Sequence, residues 1–228
     1  MDMETRNRTL YREILAPTFP PDELVTEEDF VAQLTDGSLL MHVETGPDGQ
    51  PVALAVAERF PGDVLLLSWL AVHPQALAGG LGRRTLTHAL DRWQAELEPR
   101  MVLGEVEHPL SIPAHEDHGD PAARLRFYQR FWVCALPVAH VQPALRPGCA
   151  PVDKLMLCIF RDAGVPPADE VEAAPVRDFL AAYLDGLPTR RDELLATVQG
   201  DRLPTIALDA PAGRLPNSPA APAGAAEG

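Results

Sequence analysis

The segment Val64–His73 reads VLLLSWLAVH and is apolar at nearly every position. A strand that is apolar on both faces belongs inside a sheet covered on both sides. Directly after it comes a glycine-rich bend, Pro74-Gln75-Ala76-Leu77-Ala78-Gly79-Gly80-Leu81-Gly82-Arg83-Arg84. From that bend Leu81, Leu86, Ala89, Leu90, Trp93 and Leu97 recur at helical spacing until Pro99 stops the helix. Met101–Glu107 is again strand-like, so strand, helix and strand make a β-α-β unit with parallel strands. An α/β chain built on a mixed sheet is the expected class.

The flanking segments extend that sheet. Two short helical stretches fill the first 35 residues, with Thr26-Glu27-Glu28-Asp29 as a capping box for the second. Ser38–Glu44, the turn Gly46-Pro47-Asp48-Gly49 and Pro51–Phe60 then read as a hairpin leading into the central strand. Downstream, Asp120-Pro121 is a cap and first-turn proline for a helix reaching Phe131. Val138–Leu145 and Lys154–Phe160 are expected to pair. The expected organisation is an α/β domain over residues 1–161, a C-terminal helical appendage over 162–208, and a disordered Ala/Pro/Gly-rich tail over 209–228. The appendage could pack on the sheet edge or on a second copy, as a homodimer.

Charge narrows the partners. Among 228 residues, 19 Lys and Arg against 33 Asp and Glu leave a net charge of −14. Such a surface repels phosphate backbones and anionic lipid, so no nucleic acid and no membrane partner is expected, and cationic molecules are favoured. No run is long enough to span a bilayer, and MDMETRNRTLYREIL lacks the apolar stretch of a secretory signal, which makes the cytoplasm the expected location. Cys134, Cys149 and Cys158 lack metal or disulfide spacing and read as ordinary thiols. The loop cluster His115, Glu116, Asp117, His118 and Asp120 is crowded and has no partner motif, so no metal is expected there.

Glycines at a helix start free backbone N–H groups to face an anion, as a pyrophosphate requires. The bend has no Walker lysine and lacks the third glycine of a dinucleotide fingerprint. An unrelated nucleotide-binding protein is therefore disfavoured. The combination of antiparallel meander, central strand ending Leu70-Ala71-Val72-His73-Pro74, glycine bend, helix, strand and a helix with Phe127-Tyr128 resembles the GNAT-type N-acetyltransferases. Their R/Q-x-x-G-x-G/A signature corresponds to Leu77-Ala78-Gly79-Gly80-Leu81-Gly82. Their FYxRxG signature corresponds to Phe127-Tyr128-Gln129-Arg130-Phe131-Trp132. Leu77 replaces the usual Arg or Gln, and Trp132 replaces a glycine. The resemblance covers roughly residues 10–160.

This resemblance implies the GNAT-like acyl-CoA N-acyltransferase fold, with central strands splayed around the cofactor, and acetyl-CoA as co-substrate. The pantetheine would lie along Leu70, Ala71 and Val72, and the pyrophosphate on the amides of Ala78, Gly79, Gly80, Leu81, Gly82 and Arg83. Tyr128 would protonate the departing thiolate. For the base, strand alternation places Glu105 and Glu107 on one face, ~7 Å apart, where mutual repulsion would raise one pKa. Ser68 and His73 are lesser candidates, His73 being better suited to capping the turn before Pro74. The expected activity is direct acetyl transfer to a primary amine of a small molecule or peptide. A non-catalytic acyl-CoA-binding regulatory module is the alternative, which Leu77 and Trp132 would favour.

Overall fold

Proline and glycine punctuation sets most element boundaries in the computed structural model, which describes residues 2–76, 79–111 and 120–219. The chain opens with α1 (Met3–Leu10), which widens into a π turn over Tyr11–Leu15, and α2 (Glu27–Asp36). Thr26 Oγ1 accepts from the Asp29 amide at 3.1 Å to start α2. Strands β1 (Leu39–Thr45), β2 (Pro51–Phe60) and β3 (Val64–Val72) form the expected antiparallel meander. After α3 (Leu81–Leu97), β4 (Met101–Glu107) returns parallel to β3. Then follow α4 (Pro121–Gln129), β5 (Cys134–Ala135) and β6 (Leu155–Asp162). The C-terminal part holds β7 (Glu170–Glu172), α5 (Ala173–Tyr183), α6 (Pro188–Thr197), β8 (Arg202–Pro204) and β9 (Ile206–Ala207). The main sheet is seven-stranded and mixed, in the order β1-β2-β3-β4-β6-β5-β9.

Helices cover both faces. On one, α3 and α4 bury Leu86, Leu90, Trp93 and Leu125 against Ala55, Leu65, Val102 and Phe160. The opposite face is shared: α1 and α2 pack over Leu54, Val56, Trp69 and Ala71, while α5 and α6 pack over Leu66, Met101, Leu103 and Ile159. No helix of the described residues is long and apolar enough to cross a membrane.

Three expectations need correction. Residues 162–208 are not an appendage at an edge, because α5 and α6 supply half of one covering layer and β9 pairs with β5. Residues 209–219 are not a disordered tail. Leu215 is 3% exposed, and the Asn217 side-chain amide donates to the carbonyls of His140 and Leu155 at 2.8 and 2.6 Å. Residues 220–228 lie outside the described residues. Finally, Val138–Leu145 does not pair as a strand with β6; a single bridge, Gln142 with Val152, joins its neighbourhood, and β5 takes the ladder position. Pro143 removes a donor that such a strand would need.

Candidate active site

Two irregularities in the central strands create the site. The ladder between β3 and β4 runs only from Val64–Met101 to Leu67–Gly104. Beyond it β4 stays with β6 as far as the pairing of Glu107 with Leu155, so β3 and β4 part and a wedge opens between them. At the same level β3 bulges: Val56 pairs with Trp69 and Ala57 with Leu67, leaving Ser68 without an opposite residue. That extra residue reverses the facing of the strand, so Leu65 and Leu67 share a core with α3, whereas Trp69 and Ala71 face α1 and α2.

A cavity of about 320 Å³ fills the wedge, lined by Ser68, Leu70, Val72, Gly82, Glu107 and Tyr128 among others. Leu70 and Val72 face it, whereas the Ala71 side chain is buried on the other side of β3. Gly79 and Gly80 both take positive φ, +80° and +71°, a conformation that suits glycine, and Gly80 directly precedes α3. The first-turn amides of α3, at Leu81, Gly82 and Arg83, have no acceptor within the helix by geometry, and the Arg83 side chain is exposed. A Cβ on Gly82 would meet Val72 and Phe127 at 3.7 and 3.8 Å, so this part of the wall is bare backbone. Leu77 and Ala78 lie outside the described residues.

Tyr128 reaches the cavity from α4, which Asp120 caps by accepting from the Ala122 amide at 2.9 Å. Its ring packs edge-on against Phe127 and Phe160, with centroids 5.1 and 5.2 Å away. Burial pushes the phenol pKa up to about 12, and nearby Arg124 opposes this only in part. Tyr128 therefore keeps its proton at neutral pH, as a donor must.

The two expected carboxylates diverge. Glu107 pairs with Arg124 at 3.2 Å. Glu105 accepts from His140 Nε2 at 2.6 Å, Gln142 Nε2 at 2.6 Å and the Tyr183 hydroxyl at 2.9 Å. The carboxylate that faces Glu105 is Glu58 of β2, which sequence reasoning missed. Burial, followed by the Glu105 charge, raises the Glu58 pKa to about 7. Its only sequence signal was a charge ending the apolar stretch PVALAVAE. Ser68 sits at the bulge, and His73 Nδ1 accepts from the Gln75 amide at 3.2 Å, as a turn cap does.

Elsewhere, His42, Glu44 and His88 bring potential ligand atoms within 4.8 Å of one another. Glu44 is engaged by Arg84 and by His88, each at 2.9 Å, so the group clamps α3 to β1 through an ion pair and a hydrogen bond. His115, Glu116, Asp117 and His118 lie outside the described residues.

No family model matches the chain, and no curated protein matches it in sequence. Solved structures do. One assigned to the GNAT acetyltransferases, from Bacteroides thetaiotaomicron, is 22% identical, with 86% of this chain and 93% of that one covered and a TM-score of 0.55. Another assigned to the same family, from Desulfovibrio desulfuricans, is 17% identical over 71% of this chain and 92% of its own, with a TM-score of 0.47. The chain has the fold of the GNAT-type acetyltransferases.

Proposed function

We propose that the protein is an N-acetyltransferase that moves the acetyl group of acetyl-CoA to a primary amine of a small molecule or peptide. The observation that carries this reading is the wedge between β3 and β4, with bare glycine backbone at one end and Tyr128 in its lining. Strand β3 past Leu67 keeps β2 but has lost β4, and on that side it offers unpaired main-chain groups to the pantetheine amides, a form of strand addition. The α3 first turn, with Gly79, Gly80, Leu81, Gly82 and Arg83, suits the pyrophosphate. Ala78 belongs to the same stretch by resemblance.

Of the expected bases, Glu105 is the better placed. It lines the wedge and a second cavity behind it, while Glu107 is drawn to Arg124. A carboxylate offers about four acceptor sites, and three donors hold that of Glu105 without filling it. The acceptor ammonium gives one proton to this carboxylate, and the freed nitrogen lone pair attacks the thioester carbon. The C–S bond then breaks as Tyr128 protonates the sulfur. The second nitrogen proton restores the phenol, and the proton on the carboxylate leaves to solvent.

Thiol release from acetyl-CoA across a panel of amines tests the reading, with Tyr128→Phe as the companion variant. The expected result is amine-dependent release in the wild type and a kcat lower by roughly 10²–10⁴ in the variant. Acetyl-CoA affinity and melting temperature should barely change, because the ring and its packing remain. A folded wild type that binds acetyl-CoA and releases no thiol with any amine would overturn it in favour of a non-catalytic acyl-CoA-binding module.

A further inference from the structure

On the sheet face opposite α3 lies a second cavity of about 300 Å³. It occupies the seam between the layer made by α1 and α2 and the layer made by α5 and α6, with Gln33 on one side and Tyr183 on the other. It meets the wedge along one edge, where Ser68, Trp69, Glu105 and Gln142 line both spaces. Next to its lining residue Leu145, the Arg146 guanidinium donates to the carbonyls of Leu24 and Val25 and to the Tyr11 hydroxyl.

The charge inside is one-sided. Glu58 and Glu105 are lining residues, and no Arg or Lys is. Their situations differ. Glu105 stands at the shared edge with three donors on it, whereas Glu58 lies in the second cavity only, with neither a hydrogen bond nor an ion pair to a described residue. Register explains their separation. Glu58 pairs with Leu66, Leu66 pairs with Leu103, and Glu105 is two residues further along β4. The two backbone positions are thus roughly 10 Å apart across the sheet and 7 Å along it, and the side chains converge on one space.

We propose that this second cavity is the acceptor pocket and selects a diamine. One ammonium reaches Glu105 at the shared edge, and a second positive group a few carbons away meets Glu58. This rests on the acetyl-transfer reading for the identity of the reaction, but the cavity's charge and its link to the wedge stand without it. Above about pH 7, where Glu58 is ionised, a lone amine would leave one carboxylate uncompensated, and an amine bearing a carboxylate would place like charge against Glu58. Phe60, Leu66 and Leu145 supply an apolar wall for the carbon chain between the charges.

The test uses three probes of similar length: putrescine, butylamine and γ-aminobutyrate, titrated calorimetrically into the full-length protein with CoA present. Putrescine is expected to bind roughly tenfold or more tighter than butylamine, with γ-aminobutyrate weakest. In Glu58→Gln, which keeps the side chain's size, the advantage of putrescine over butylamine should disappear. Equal binding of putrescine and butylamine to the wild type, which needs no variant to judge, would overturn the inference. So would an undiminished preference in folded Glu58→Gln. Thiol release with the same compounds separates the two readings. The binding order with no thiol release from these compounds or any amine of the wider panel would keep the diamine pocket and sink acetyl transfer, and thiol release without the order would do the reverse.

Discussion

Glu58 is where stability and function pull apart. Its pKa of about 7 in the folded chain lies above the ordinary value of 4.5, because burial and the Glu105 charge disfavour the carboxylate. The native chain therefore retains a proton that the unfolded chain has lost between those two values, and stability falls as pH rises through that window. The groups facing it are Glu105 from β4 and Tyr183 from α5, whose phenol is held well above its usual range by burial and by Glu105. The full shift corresponds to on the order of 3 kcal/mol. Solvent entering the cavity trims that, so Glu58→Gln should stabilise by about 1–2 kcal/mol at pH 8. At pH 5 the two proteins should be nearly equal. Urea unfolding at both values checks this, and identical pH slopes in wild type and variant would contradict it. A carboxylate that costs stability near neutrality and has no partner among the described residues is the kind of residue retained for a ligand.

At the level of strands and helices, two glycines have opposite jobs. Gly104 is the last β4 residue paired to β3, and a Cβ there would lie 2.5 Å from Phe160 Cε2. Phe160 is 1% exposed and packs edge-on against Tyr128, so it has little room to yield. Gly104→Ala should therefore destabilise by about 1–3 kcal/mol and lower kcat by displacing the Tyr128 ring. Gly82 is different, since its Cβ would make only ordinary contacts. Gly82→Val should keep nearly the wild-type melting temperature and weaken acetyl-CoA binding by roughly tenfold. Thermal melts and CoA titrations on both variants decide the matter; a folded Gly82→Val with unchanged affinity would remove the pyrophosphate site.

These elements also mark how far the sequence could be read. The meander, the glycine bend, α3 and α4 follow from local periodicity and capping, which neighbouring residues determine. The Ser68 bulge and the meeting of Glu58 with Glu105 do not. They depend on register across three strands, and alternation along one strand cannot reveal a parity change imposed by its neighbour. Trp132 shows a similar limit. The motif departure was visible, but the turn survives, with Trp132 taking φ +58° at 74% exposure where glycine would be unstrained.

For the whole molecule, composition misled at the C-terminus. The Ala/Pro/Gly bias after Asp209 signalled absence of a core face, yet three residues anchor the segment to the domain. Leu215 joins the core shared by α3 and α4. Ser218 Oγ lies 3.1 Å from His108 Nε2, and that same ring nitrogen lies 3.1 Å from the Ala212 carbonyl, which closes over a fully buried His108 at the end of β4. Asn217, in the left-handed conformation at φ +59°, ties the carbonyls of His140 and Leu155 together. Because His140 donates to Glu105, this tie reaches the site. A chain ending at Leu208 should lose one buried leucine, about 1.5–3 kcal/mol, and several hydrogen bonds at about 1 kcal/mol each. The melting temperature should then fall by roughly 10–30 °C. Asn217→Ala alone should lower it less, but should reduce kcat more than acetyl-CoA affinity, since it loosens His140 behind Glu105 and leaves the α3 end untouched. Differential scanning calorimetry of the two variants, paired with steady-state kinetics, tests both halves. An unchanged melting temperature in the shortened chain would mean that the segment rests on the sheet without holding it.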